Sequence, residues 1–97
     1  MYAVIFRATG AELDDEYHQT ARRLRELAVA KYGCVEFVSS TEGRQEVTIS
    51  YWEKEEHITA WRNDPQHRLA REKGKTRWYD SWQVEVVRIV RSYGREG

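Results

Sequence analysis

Apolar and polar positions along this chain fall into six runs, each with its own period. Tyr2-Ala3-Val4-Ile5-Phe6-Arg7-Ala8 is almost continuously apolar, the pattern of a strand covered on both faces. From Tyr17 the period changes to that of a helix, with Ala21, Leu24 and Ala28 in register and Leu27 beside them. Asp14 can cap this helix, Asp15 and Glu16 complement its positive end, and Lys31 and Gly33 mark its end. Cys34 to Val38 and Gln45 to Trp52 then read as a hairpin around Glu42-Gly43-Arg44. Its second strand alternates, with Val47, Ile49 and Tyr51 on one face and Thr48, Ser50 and Trp52 on the other. A short helix follows to about Asn63. Asp64 and Pro65 supply a fresh cap and first helical position, so a further helix starts at an angle, with His67, Ala70, Arg71, Gly74 and Trp78 on one side. Gly74 costs about 1 kcal/mol relative to Ala in a helix and predicts fraying or a bend there. Trp82 to Val90 forms the last strand.

The order β, α, β, β, broken α, β predicts an α+β fold: a ferredoxin-like split βαβ, with a four-stranded antiparallel sheet carrying its helices on one face. Strands one and four read as apolar on both sides, while the helices suffice for one. The bare face is therefore expected to meet a second copy, giving a homodimer through the open sheet face. No linker or repeat divides the chain, so residues 1–97 are expected to form one domain, with a frayed tail after Tyr93.

Composition narrows the possibilities. A chain of 97 residues buries only about two thirds of its unfolded surface, yet this one carries four Trp, six Tyr and two Phe, more aromatic surface than so thin a core covers. That again favours oligomerisation. Sixteen basic residues offset sixteen acidic ones without a basic stripe, which argues against nucleic acid. There is no leader-like start and no run of roughly 20 apolar residues, so a cytoplasmic protein with no membrane partner is expected. The single cysteine, Cys34, reads as a small core hydrophobe.

The chemistry concentrates between Trp52 and His67. A strand end, a short helix and a proline break there bring an indole, Trp61, and an imidazole, His67, six residues apart. Such groups at a helix junction suit a pocket for a flat organic molecule, and equally an ordinary packed junction. His67, at the third position of a capped helix, should be held neutral by the helix's positive end, whereas His18 and His57 are expected to face solvent. The three histidines have no metal-ligand spacing and the six glycines stand alone, so no metal and no nucleotide cofactor is predicted.

Four segments together carry a family resemblance: Ile49-Ser50-Tyr51-Trp52-Glu53, the helix from Glu56 to Trp61, Asp64-Pro65-Gln66-His67, and Arg77-Trp78-Tyr79. From Tyr2 to Tyr93 the chain resembles the antibiotic biosynthesis monooxygenase domains, small dimeric α+β barrels. The resemblance implies a ligand cleft between helices and sheet. Characterised members include cofactor-independent oxygenases that turn anthrone-like phenols into quinones, and haem-degrading enzymes. The haem branch uses a Trp that Trp61 matches. Its ligating His, ten positions on, is replaced here by Arg71, and its strand-one Asn by Phe6 or Arg7, which disfavours haem. The quinone-forming chemistry asks only that the phenol be bound, its phenolate stabilised and water excluded. Trp61 and Trp78 then read as flat walls, His67 as the catalytic group, His67 or Arg71 as the positive charge, Tyr51 as a hydroxyl, and Phe6 as a further contact, with no cofactor. Two functions of different classes follow. One is a monooxygenase-like oxidoreductase acting on a small aromatic or phenolic compound. The other is a non-catalytic binding or accessory module for a hydrophobic metabolite.

Overall fold

Residues 1–10 and 13–95 are described by a computed structural model of the chain. The elements are β1 (Tyr2–Gly10), α1 (Asp15–Lys31), β2 (Cys34–Glu42), β3 (Gln45–Trp52), α2 (Glu55–Arg62), α3 (Pro65–Lys73), a π-helical turn (Gly74–Trp78) and β4 (Tyr79–Arg88). The sheet order is β2-β3-β1-β4 with every neighbour antiparallel, the ferredoxin-like α+β arrangement expected.

Local chemistry sets the helix boundaries. Asp14 Oδ1 accepts from the Tyr17 amide at 2.8 Å and opens α1. Gly33 and Gly43 carry the positive φ, 81° and 60°, that the end of α1 and the hairpin turn require. Asp64 caps α3 through Gln66 N at 2.8 Å, and its other oxygen accepts from the Tyr32 hydroxyl at 2.6 Å, tying the start of α3 to the end of α1. That hydroxyl, ahead of the amide contacts, holds the Asp64 carboxyl below its ordinary range.

Strand parity decides what lies beneath the helices. Paired residues place three rows on the helix side: Phe37, Ser50, Val4 and Val86; Ser39, Thr48, Phe6 and Val84; Thr41, Glu46, Ala8 and Trp82. The β2 and β3 half of this floor is therefore largely polar and the β1 and β4 half apolar. The opposite face carries Val38, Val47, Ile49, Tyr51, Ile5 and Val87 together with a polar patch, in which Arg7 reaches Gln83 at 3.2 Å and Glu85 at 3.4 Å. Strands one and four are thus not apolar on both sides as read from the sequence: Arg7, Gln83 and Glu85 all lie on the open face. Val86 belongs to the helix side.

The packed core is small and lies at one end, where Val4, Ala28, Cys34, Trp52, Ile58 and Trp61 meet. Trp52 is fully enclosed and donates to Ser50 Oγ at 2.8 Å, so its polar atom is satisfied inside the core. Cys34 is buried, as expected of a core hydrophobe, and burial pushes its thiol up. His57 departs from expectation, being half-buried, with Nδ1 enclosed and unpartnered, against Gly33.

Some boundaries also differ. β2 runs on to Glu42, β4 spans Tyr79–Arg88 rather than Trp82 to Val90, and the fraying or bend expected at Gly74 takes the form of a π turn. A Cβ at Gly74 would meet the Tyr79 ring at 2.9 Å, so the glycine gives room to that ring. Among the described residues no helix is long and apolar enough to cross a membrane. Of the expected frayed tail, Gly94 and Arg95 are exposed, and Glu96 and Gly97 lie outside the described residues.

Candidate functional site

No residue of α3 is fully buried, so this helix stands off the sheet instead of lying on it. The space beneath is a cavity of about 380 Å³, of the size that takes a small organic ligand. Two aromatic clusters bracket it. At the core end Trp61 lies 5.3 Å from Trp52, and Phe37 meets Trp61 edge-on at 6.2 Å. Trp61 is pinned by its own N–H, which donates to the Leu24 carbonyl of α1 at 3.2 Å. At the far end Tyr17 meets Trp78 at 5.3 Å and Tyr79 at 5.8 Å, both nearly perpendicular, and Phe6 meets Tyr79 at 5.3 Å.

Five of the six residues singled out from the sequence line this cavity: Phe6, Trp61, His67, Arg71 and Trp78. Tyr51 does not. Its neighbours Ser50 and Trp52 take the helix side, and alternation sends Tyr51 to the open face. Residues 67, 70, 71, 74 and 78, expected on one side of the second helix, all reach the cavity, because the π turn compensates for the end of α3 and keeps Trp78 directed inward. His18, expected to face solvent, is exposed yet also borders the cavity.

His67 packs edge-on against Trp61, ring centroids 4.3 Å apart, with Nδ1 enclosed and unpartnered. Its pKa is lowered to about 4, first by burial and then by the Arg71 guanidinium, with Arg62 adding to it. The ring is therefore neutral at ordinary pH, as expected, but burial and arginines are the main causes, where the sequence had suggested the helix terminus.

Further lining groups escaped the sequence reading. Glu46 is buried on the floor, accepting from the Thr41 hydroxyl and from Thr48 Oγ1 at 3.3 Å. Burial raises the Tyr17 phenol, and raises Tyr79 further, with the neighbouring phenol and the Glu46 charge contributing, so both hydroxyls stay protonated as donors. One signal for this end existed: the alternating strand Gln45 to Trp52 carries Glu46, Thr48 and Ser50 on the same side as Trp52. Across the floor stand Arg22, Arg25, Arg62, Arg71 and Lys75. Arg25 donates to Ser39 Oγ at 2.7 Å and lies over the Phe37 ring. At the far end, Arg77 bridges Asp14 and Glu16, and Lys73 also reaches Glu16, fastening the π turn to the start of α1.

The family model for antibiotic biosynthesis monooxygenase matches residues 1–73. An uncharacterised protein of Bacillus subtilis (strain 168), YqjZ, is 40% identical over 92 residues, covering 93% of this chain and 80% of its own length. Among solved structures, SnoaB, a cofactor-independent oxygenase from Streptomyces nogalater, superposes with a TM-score of 0.80 at 11% identity, over 97% of each chain. A protein of unknown function from Nitrosomonas europaea, NE2512, superposes at 0.74 and 15% identity, over 99% of this chain and 95% of its own. At such identities these two structures speak to the fold alone.

Proposed function

Given that the chain belongs to the antibiotic biosynthesis monooxygenase family, we propose that it is a cofactor-independent, monooxygenase-like oxidoreductase acting on a small aromatic or phenolic compound in the cavity under α3. The observation that carries this reading is a neutral, half-buried imidazole, its Nδ1 enclosed, edge-on to an indole at the wall of a ligand-sized space. A flat substrate lies against Trp61 and Trp78. Arg71, with Arg62, holds the negative charge of its phenolate. With a pKa near 4, His67 is free to accept a proton but is a weak base, so it works only while that phenolate is stabilised beside it.

In the reaction the substrate loses two hydrogens, one from its phenolic hydroxyl and one from an electron-rich ring carbon, and that carbon gains one oxygen atom of O₂ as a carbonyl. The second oxygen atom leaves as water with those hydrogens. O₂ is the sole oxidant, and what the chain supplies is orientation, a charged partner and exclusion of water. The reading includes a cytoplasmic homodimer joined through the open sheet faces. Val38, Val47 and Val87 are exposed there beside Ile5, Ile49 and Tyr51, an apolar patch of the kind that marks an interface.

Oxygen uptake tests the proposal. Purified protein given anthrone, naphthol and hydroquinone substrates should consume O₂ with at least one of them, and His67→Ala should slow that uptake by about 100-fold. Saturable quenching of tryptophan fluorescence without any uptake would replace the enzyme with the second reading, a binding or accessory module for a hydrophobic metabolite.

A further inference from the structure

The charges around the cavity do not balance. Arg62 and Arg71 are both half-buried, both border the cavity, and both act electrostatically on His67. Neither forms an ion pair or a side-chain hydrogen bond among the described residues, although acids elsewhere in the same fold are paired off in Asp14, Glu16, Asp80 and Glu85. A smaller cleft on the β4 side is bordered by the same two arginines, with Ile58, Val86 and Glu55, and Glu55 makes no ion pair with either. Asp64 also acts on His67, but its carboxylate is taken by the Tyr32 hydroxyl and the Gln66 amide. Two like charges held partly out of water, next to an imidazole that cannot share a proton with them, thus form a positive pole that no described acid pairs with. Such a pole is costly unless something negative occupies it.

The rest of the cavity says what that something is attached to. The wall next to the pole is aromatic, Trp61 backed by Phe37, and the β1 and β4 half of the floor is apolar. The opposite floor carries Glu46, the one acid among the described lining residues, which is already satisfied by two threonine hydroxyls. The other lining cations, Arg22, Arg25 and Lys75, are exposed and solvated, so a second negative group on the guest would gain little from them and would meet Glu46 on the floor.

We propose that the guest of this cavity is an aromatic acid bearing a single carboxylate, which pairs with Arg62 and Arg71 while its ring system lies on Trp61. A guanidinium pair matches a carboxylate by its planar forked donors. The phenolate exists only after proton loss and so cannot be what neutralises the resting pole; the two guanidiniums, with five N–H donors each, have donors left for it once the carboxylate is bound. The inference rests on the cavity being the binding site and stands whether or not the bound molecule is oxidised.

Equilibrium binding, followed by tryptophan fluorescence under argon, separates this from the proposed reaction. At neutral pH and low salt, 2-naphthoate should bind about tenfold or more tighter than uncharged 2-naphthol, and high salt should shrink that advantage. The double variant Arg62→Gln/Arg71→Gln should bind both ligands alike, with circular dichroism confirming that it remains folded. The dianion 2,6-naphthalenedicarboxylate should bind more weakly than 2-naphthoate. Equal affinities for naphthoate and naphthol in the wild type, or a preference that survives in the folded double variant, would overturn the inference. A dianion bound as tightly as the monoanion would overturn its single-charge part. No saturable quenching with any of them would sink the cavity itself as a binding site, and selective naphthoate binding without O₂ uptake would sink only the oxygenase reading.

Discussion

Acid should unfold this protein earlier than its carboxylates alone require, and His67 is the cause. In the unfolded chain the imidazole titrates near 6.5; in the folded one its pKa is lowered to about 4. Between those values the unfolded state takes up a proton that the native state refuses, so stability rises with pH across that window and is lost as pH falls through it. Each pH unit there corresponds to about 1.4 kcal/mol, giving about 2 kcal/mol by pH ~5 and about 3 kcal/mol below pH ~4. Carboxylates do not confuse the upper part of the window. Asp14, Glu16 and Asp64 have pKa values lowered from 3.8, 4.5 and 3.8, so their contributions are present above those values and fade only in stronger acid.

The comparison is between wild type and His67→Gln, which keeps a polar side chain but removes the titration. Thermal unfolding by circular dichroism at equal protein concentration, at neutral pH and at about pH 5, should show the wild type losing about 2 kcal/mol more than the variant. For a chain of this length that is a difference on the order of 10 °C in Tm. Parallel pH profiles, or an NMR titration placing His67 near 6.5, would refute both the burial argument and the claim that a neutral imidazole faces the cavity.

Gly74→Ala should destabilise by about 1–3 kcal/mol in denaturant unfolding despite the better helix propensity of alanine, because the new methyl would meet the Tyr79 ring at 2.9 Å. Trp61→Ala should lose about 3–5 kcal/mol, whereas Trp61→Phe, which gives up mainly the bond to the Leu24 carbonyl, should lose about 1–2 kcal/mol and keep a flat wall for ligand quenching studies. Ile49→Asp, in the middle of the open face, should convert a dimer into a species of 11.6 kDa in sedimentation. Val86→Asp should leave both assembly and fold intact, since Val86 is 42% exposed on the helix side and shares its cleft with Arg62 and Arg71. By occupying those guanidiniums it should also weaken 2-naphthoate.

The fold was legible wherever one local rule decided it. Caps at Asp14 and Asp64, glycines at 33 and 43 and the period of each run placed the four strands and the α-helices, because those signals act within a few residues. Boundaries that depend on tertiary fit were not legible. Nothing within the segment from Pro65 to Trp82 reveals that the Tyr79 ring needs the space over Gly74, so the π turn and the early start of β4 came only with the structure. The same division holds at the cavity. Helical spacing brought His67, Arg71 and Trp78 to one side, while Glu46, Tyr17 and Tyr79 come from three separate elements whose meeting is set by register. Tyr51 was misplaced because an apolar alternate row ordinarily faces the helices.

That last reversal ties the proposed cavity to the proposed dimer. In a strand packed by helices on one side and wetted on the other, the apolar row turns inward. β3 does the opposite: Glu46, Thr48 and Ser50 lie under the helices, and Val47, Ile49 and Tyr51 look outward. Polar groups under a helix are tolerable only when satisfied, as Glu46 is by its two threonines and Ser50 by the Trp52 indole, or when they line a space that a solvent or guest molecule shares. An outward apolar row is costly unless another surface covers it. One strand thus argues for both features at once, since a filled interior would have called for the reverse alternation, and a lone subunit would have gained nothing from it. If Ile49→Asp left the assembly unchanged, the outward row would be without a reason, and the case for an inward polar floor shaped to receive a ligand would lose its support with it.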